Sequence, residues 1–138
     1  MTDSINLLRD FIRHPGASGA AISNFESESG LRLPAGYKDF LEQSNGGEGF
    51  VGESYLMLWP IDQLLKLNED YEVSKYAPGI TLFGSDGGGE AFAFDSTGEV
   101  VRIVSIPFIG LDRKYARQVA SDFPAFFSEI SRVLVSKP

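Results

Sequence analysis

The sequence predicts an α+β fold: a single domain with a largely antiparallel β-sheet, flanked by helices at both chain ends. Three observations carry that expectation. Apolar residues recur at helical spacing before Gly46 and again after Ser121. Between them, short runs rich in β-branched and aromatic residues are separated by Gly- and Ser-rich turns. Strands joined by hairpin turns give an antiparallel sheet, whereas a doubly wound nucleotide-binding sheet would alternate strands with helices.

Taken in order, Asp3 or Ser4 is placed to cap a first helix that carries Ile5, Leu8, Phe11 and Ile12 on one side and stops at Pro15-Gly16. A second helix is expected over 19–29, with Ala20, Ala21, Ile22 and Phe25 as its apolar content and Gly30 as its end. Pro34 suits the first turn of a third helix, where its missing N–H is not needed. Tyr37, Phe40, Leu41 and Ser44 then follow at i, i+3, i+4 and i+7, the spacing of one buried face. Asn45-Gly46-Gly47 tolerates a left-handed backbone and ends that helix in a turn.

After Gly49 the period changes. Tyr55 to Trp59 reads as a strand bounded by Pro60, and Asp62 to Tyr71 as a helix with Leu64, Leu65, Asn68 and Tyr71 in helical spacing. Strands are expected near 80–84, 90–95 and 100–106. Ser85–Gly89 joins the first pair and Ser96–Gly98 the second. Arg113 to Val119 is either a short edge strand or a loop. The last helix starts near Ser121 and buries Phe123, Phe126, Phe127, Ile130 and Leu134.

A chain of 138 residues forms one domain, 1–138, large enough for its own core. There are no cysteines, which excludes a disulfide framework, a thiolate metal site and a cysteine nucleophile. The opening residues lack a basic signal-peptide region, and no apolar run approaches the ~18 residues of a membrane span. The expectation is a cytoplasmic protein without a membrane partner. The net charge of −7 is uneven: residues 39–99 carry twelve acids against Lys66 and Lys75, a local −10. Such a middle repels phosphate backbones, so no direct nucleic-acid partner is expected. Two readings of it stay open, a solvated surface or a docking face for a basic partner.

The catalytic inventory is thin. His14, the only histidine, precedes Pro15 and reads as a surface residue. One histidine and no cysteine leave zinc without a ligand set, and neither a metal nor a cofactor is expected. The run Gly84 to Gly89 lacks the Gly-Lys-Ser/Thr ending of a phosphate loop, and a strand rather than a helix follows it. Asp86, Glu90 and Asp95 match no EF-hand spacing. No carboxylate pair stands in a hydrolase motif and there is no nucleophile elbow, so no catalytic residue is assigned. Trp59, Tyr71 and Tyr55 are read as core or as a recognition patch.

Two stretches matter together. Leu33-Pro34, Tyr37, Phe40-Leu41 and Asn45-Gly46-Gly47 resemble the opening signature of the SUKH superfamily (Smi-one/Knr-four type). Trp59, the helix ending at Tyr71, and Phe83-Gly84 with Gly89 and Phe94-Asp95 are similar to that family's later motifs, in order. Ala120 to Phe127 resembles its closing helix, so the likeness runs over 19–134. It implies an antiparallel sheet flanked by helices and a non-catalytic role. Bacterial members are mostly immunity proteins that bind and neutralise a polymorphic or contact-dependent toxin, often a nuclease. Fungal members regulate cell-wall synthesis as interaction hubs and carry long extensions that are not seen here, which favours the bacterial reading. The expected function is therefore toxin neutralisation by binding, with a regulatory or adaptor module as the alternative.

The resemblance gives scaffold roles to Leu33, Tyr37, Phe40, Leu41, Phe83 and Phe94 as core, and to Gly46, Gly47, Gly84 and Gly89 as turn formers. Asp95 is expected to bond the turn at Ser96–Gly98, or else to touch a partner. The acids expected to meet a basic toxin domain are Glu48, Glu53, Asp86 and Glu90, with Glu69 and Glu72 behind them.

Overall fold

Strand pairing follows chain order. In the computed structural model, which describes residues 10–136, seven strands form one sheet: β1 (Asp10–Arg13), β2 (Gly47–Val51), β3 (Ser54–Leu58), β4 (Ile80–Ser85), β5 (Glu90–Asp95), β6 (Arg102–Pro107) and β7 (Arg117–Ala120). Each strand is antiparallel to its neighbours. Helices α1 (Gly19–Ser29) and α2 (Ala35–Gln43) lie in the chain between β1 and β2, and α3 (Ile61–Asp70) and α4 (Val73–Tyr76) between β3 and β4. A single 3-10 turn at Arg113–Tyr115 precedes β7, and α5 (Phe123–Ser136) closes the fold.

The N-terminal expectation changes most. Phe11 and Ile12 lie on a strand rather than a helix; Phe11 is buried and Ile12 is 69% exposed, the in-out alternation of a sheet edge. Ile5 and Leu8, assigned to the same helix, lie outside the described residues. The partner strand, β2, begins where the sequence predicts a turn, because its glycines imitate one. They serve close approach instead. A Cβ at Gly47 would stand 2.5 Å from the Ile12 carbonyl oxygen, and one at Gly49 2.5 Å from that of Asp10. Both glycines have positive φ, 136° and 147°. Only glycine lets β1 lie this near.

Elsewhere the boundaries agree closely with expectation. Ser18 caps α1 by accepting the Ala21 N–H at 3.1 Å, and Gly30, at φ 75°, donates to Glu26 O as its left-handed stop. Pro34 sits one position earlier than expected, as the extended residue before α2, and its carbonyl accepts from Tyr37 and Lys38. Asp122 caps α5 through the Ala125 N–H at 2.8 Å. The ambiguous stretch 113–119 is the 3-10 turn followed by β7.

Helices α1, α2 and α5 cover the inner face of the sheet over an aromatic core. Tyr37 lies at its centre, its ring 4.9 Å from Phe94, 5.1 Å from Phe123 and 5.6 Å from Phe83. Phe40 is only partly buried but packs on Phe123 and Phe127. Phe126, Phe127 and Ile130 complete the core from α5; the Leu134 side chain lies outside the described residues. The Tyr37 hydroxyl is buried with no hydrogen-bond partner among the described residues, and burial pushes its pKa well above the usual phenol value.

The outer face is divided. Over β4, β5 and β6 a second cluster of Ile80, Leu82, Ala91, Ala93, Val104 and Ile106 is covered by Val73 and Ala77, with Phe108, Leu111 and Ala116 against it. Over β1, β2 and β3 no described element covers the outer positions: Asp10, Ile12, Glu48 and Phe50 are exposed, and Tyr55 and Met57 are half-buried.

Candidate functional site

The motif residues fasten segments together. Ser44 is fully buried; its hydroxyl accepts the His14 N–H at 3.0 Å and donates to Gly46 O at 2.6 Å. Asn45 takes the role Pro60 cannot fill at the start of α3: its side-chain oxygen accepts the Ile61 N–H at 2.7 Å. Leu33, held by its N–H on the Glu26 carboxylate at 2.7 Å, is buried beside Leu41 in the inner core. Trp59 donates its backbone N–H to Phe83 O at 3.0 Å and packs, half-buried, against both clusters. Gly46 makes the expected turn, but Gly47 and Gly84 lie inside strands, Gly84 beside the register shift in β4. Gly89 lies in the loop just before β5 without positive φ; Gly87 is the left-handed residue there.

Asp95 is the one buried carboxylate among the described residues, 1% exposed at the end of β5. One oxygen accepts from the Thr97 N–H at 3.1 Å and the Thr97 hydroxyl at 2.7 Å, as the expected turn requires. The other partners come from positions that no local motif links to Asp95. Arg113 grips both oxygens, at 3.1 and 3.2 Å, and Arg102, its register partner on β6, adds a bond of 2.7 Å. Burial alone would raise the Asp95 pKa, but the bonds from Arg113, Thr97 and Arg102 outweigh it and hold the carboxyl far below its ordinary value. The cluster clamps the 108–116 segment onto the sheet, since Arg113 also reaches Pro78 O. All the lone pairs of Asp95 that geometry offers are engaged inside the molecule, which is the arrangement of a structural ion cluster.

The six acids expected to meet a partner do not form one face. Glu48 lies on the open outer face of β2, bonded by the Tyr55 hydroxyl, which raises the Tyr55 pKa. Asp86 heads the β4–β5 turn, its carboxylate accepting the Gly88 and Glu90 N–H groups at 2.8 and 3.2 Å. That turn leans on the same face, with Gly87 against the Tyr55 ring and Met57. Glu53 occupies the β2–β3 hairpin tip, where Gly52 approaches Ser131 of α5. Glu69 and Glu72 lie together at the end of α3, and Glu90 is half-buried near Lys114 and Arg117.

Two surfaces carry exposed aromatic groups. On the outer face, register pairing aligns Ile12, Glu48, Met57 and Ser85 in one row across four strands, and Asp10, Phe50 and Tyr55 in the next. Phe50 is 49% exposed and meets Tyr55 edge-on at 5.3 Å. The second surface is a groove of about 390 Å³ lined by Tyr71, Tyr76, Phe108, Leu111, Asp112 and Tyr115, among others. Thus Trp59 and Tyr71 both pack on Phe108, at 6.5 and 5.0 Å between ring centroids, while Tyr55 stands apart against Phe50. Among the described residues no group of three or more His, Cys, Asp and Glu side chains could hold a metal ion, and no helix is long and apolar enough to cross a membrane.

This arrangement of sheet, helices and motif residues agrees with a family comparison. The sequence pattern of the SMI1 / KNR4 family (SUKH-1) matches residues 16–129, most of the chain. No curated protein matches it.

Proposed function

This chain belongs to the SMI1 / KNR4 family (SUKH-1), and from that premise we propose that it is a non-catalytic binding protein that neutralises a toxin. The partner is a basic domain, such as a nuclease whose cationic groove takes the acids in place of its substrate's phosphates. The observation that carries this reading is the disposition of charge. Glu48, Glu53, Glu69, Glu72, Asp86 and Glu90 enter no ion pair among the described residues, whereas Arg102, Arg113, Lys38 and Lys66 are each engaged by a carboxylate. All six acids lie within residues 39–99, where twelve acids face only Lys66 and Lys75 and Lys66 is already paired with Asp70, so this stretch displays a strong excess of negative charge. A field of one sign accelerates encounter with a basic partner and weakens as salt is added.

The test is to read the adjacent reading frame, which is expected to encode a secreted protein with a toxic C-terminal domain, and to co-express that domain with this chain. Restored growth and co-purification of the two chains are expected. Failure to rescue together with failure to co-purify overturns the reading.

A further inference from the structure

We infer that the open half of the outer sheet face, over β1, β2 and β3, is where the basic partner docks, with Phe50 and Ile12 as anchors. This deepens the toxin-binding function proposed above and rests on it. Ile12 is 69% exposed and Phe50 49%, on neighbouring strands of one face, while the other half of that face is covered by the chain itself. Phe50 is held ready for contact: its ring meets Tyr55 edge-on, and Tyr55 is in turn bonded to Glu48. An aromatic side chain fixed in this way loses little freedom on binding.

Charge identifies the occupant. The charged side chains of this half-face among the described residues are Asp10 and Glu48 on the strands and Asp86 at the turn that leans on Tyr55 and Met57. All are acidic. An apolar centre with a wholly acidic rim fits a basic protein surface and repels an acidic one or a nucleic acid. The tyrosine groove, by contrast, holds Asp112 and Lys114 together and selects neither sign.

Area sets the extent. Three strands of about five residues cover about 14 by 17 Å, or about 240 Å², against about 800 Å² per partner in a standard interface. The strands are therefore the centre of the contact, and its margin includes the Asp86–Gly89 turn on one side and the hairpin tip bearing Glu53 on another.

The experiment measures binding of the isolated toxic domain from the adjacent reading frame by surface plasmon resonance. Phe50→Ser and Ile12→Ser, each checked by thermal melting, are expected to raise Kd by about 10- to 100-fold through faster dissociation. Glu48→Gln with Asp10→Asn should slow association by about 3- to 10-fold at low salt. Glu28→Gln with Glu42→Gln, exposed on the helices of the opposite face, should leave Kd within about twofold, the usual outcome away from an anchor cluster. If wild type binds and the Phe50 and Ile12 variants bind equally well, this surface is wrong and the neutralising function stands. If wild type forms no complex, both fall. A wild-type dimer that Phe50→Ser dissociates shows the face occupied by a second copy and overturns the inference.

Discussion

The side-chain amide of Asn68 takes the place of a missing strand beside Leu82. Its oxygen accepts the Leu82 N–H at 2.7 Å and its nitrogen donates to Leu82 O at 3.0 Å, while also reaching Leu64 O on its own helix at 2.8 Å. Strand β3 ends at Leu58, paired with Gly84, so the free side of Leu82 has no backbone neighbour. Leu82 is fully buried, and an unpaired backbone there would lack water as well. One side chain thus pins α3 to the centre of the sheet.

Asn68→Leu should destabilise the protein by about 2–4 kcal/mol, because two buried backbone groups lose their partners. For a chain of this length that lowers Tm by about 7–14 °C. Asn68→Asp should be no better at pH 7, since it sets a carboxylate oxygen against the Leu82 and Leu64 carbonyls. Chemical denaturation of both variants checks the expectation; a loss under about 0.5 kcal/mol, the scatter of ordinary surface changes, would contradict it.

Tyr37→Phe should leave stability unchanged or raise it by about 1 kcal/mol, because the buried hydroxyl it removes is unpaired among the described residues. Tyr37→Ala, which empties the centre of the aromatic core, should cost about 3–5 kcal/mol. Comparing the two by urea unfolding separates the hydroxyl from the ring.

Asp95 makes stability depend on acid. Its folded-state pKa is depressed, so its contribution is complete above the ordinary carboxylate value near 3.8 and is lost as pH falls below that. Unfolding free energy should therefore decline as pH falls from about 5 toward the depressed folded value. Asp95→Asn should be less stable at pH 7 by about 2–4 kcal/mol, since it removes the charge between Arg102 and Arg113. The gap between variant and wild type should narrow in acid; a gap independent of pH would refute this role.

Gly49→Ala should detach the first strand before it unfolds the rest. The added Cβ meets the Asp10 carbonyl, and the backbone conformation at φ 147° costs about 1–3 kcal/mol for a residue with a side chain. Hydrogen exchange should quicken first at Asp10–Arg13. Uniform quickening across the sheet would mean that β1 and the core open as one.

Much of the fold was legible because its signals are local. The spacing of Tyr37, Leu41 and Ser44, the cap at Ser18 and the stop at Gly30 are written in short windows, and so are the alternations of β5 and β6. What was not legible depends on distant partners. Phe11-Ile12 is too short a run to tell strand from helix, and Gly47–Gly49 imitates a turn until β1 lies against it. The partners of Asp95 arrive from 7 and 18 residues away, and those of Asn45 and Asn68 from 16 and 14. The acids were found individually, but their dispersal over several surfaces follows from strand register, which no charge count contains.

Strand β2 places Gly47, Gly49 and Val51 inward and Glu48 and Phe50 outward. The inward set answers to the fold, and each member is held by contact with a neighbour. The outward pair answers only to whatever meets the surface. Heritable change can therefore accumulate at alternate positions of one strand, retuning recognition while the architecture beneath it is inherited intact.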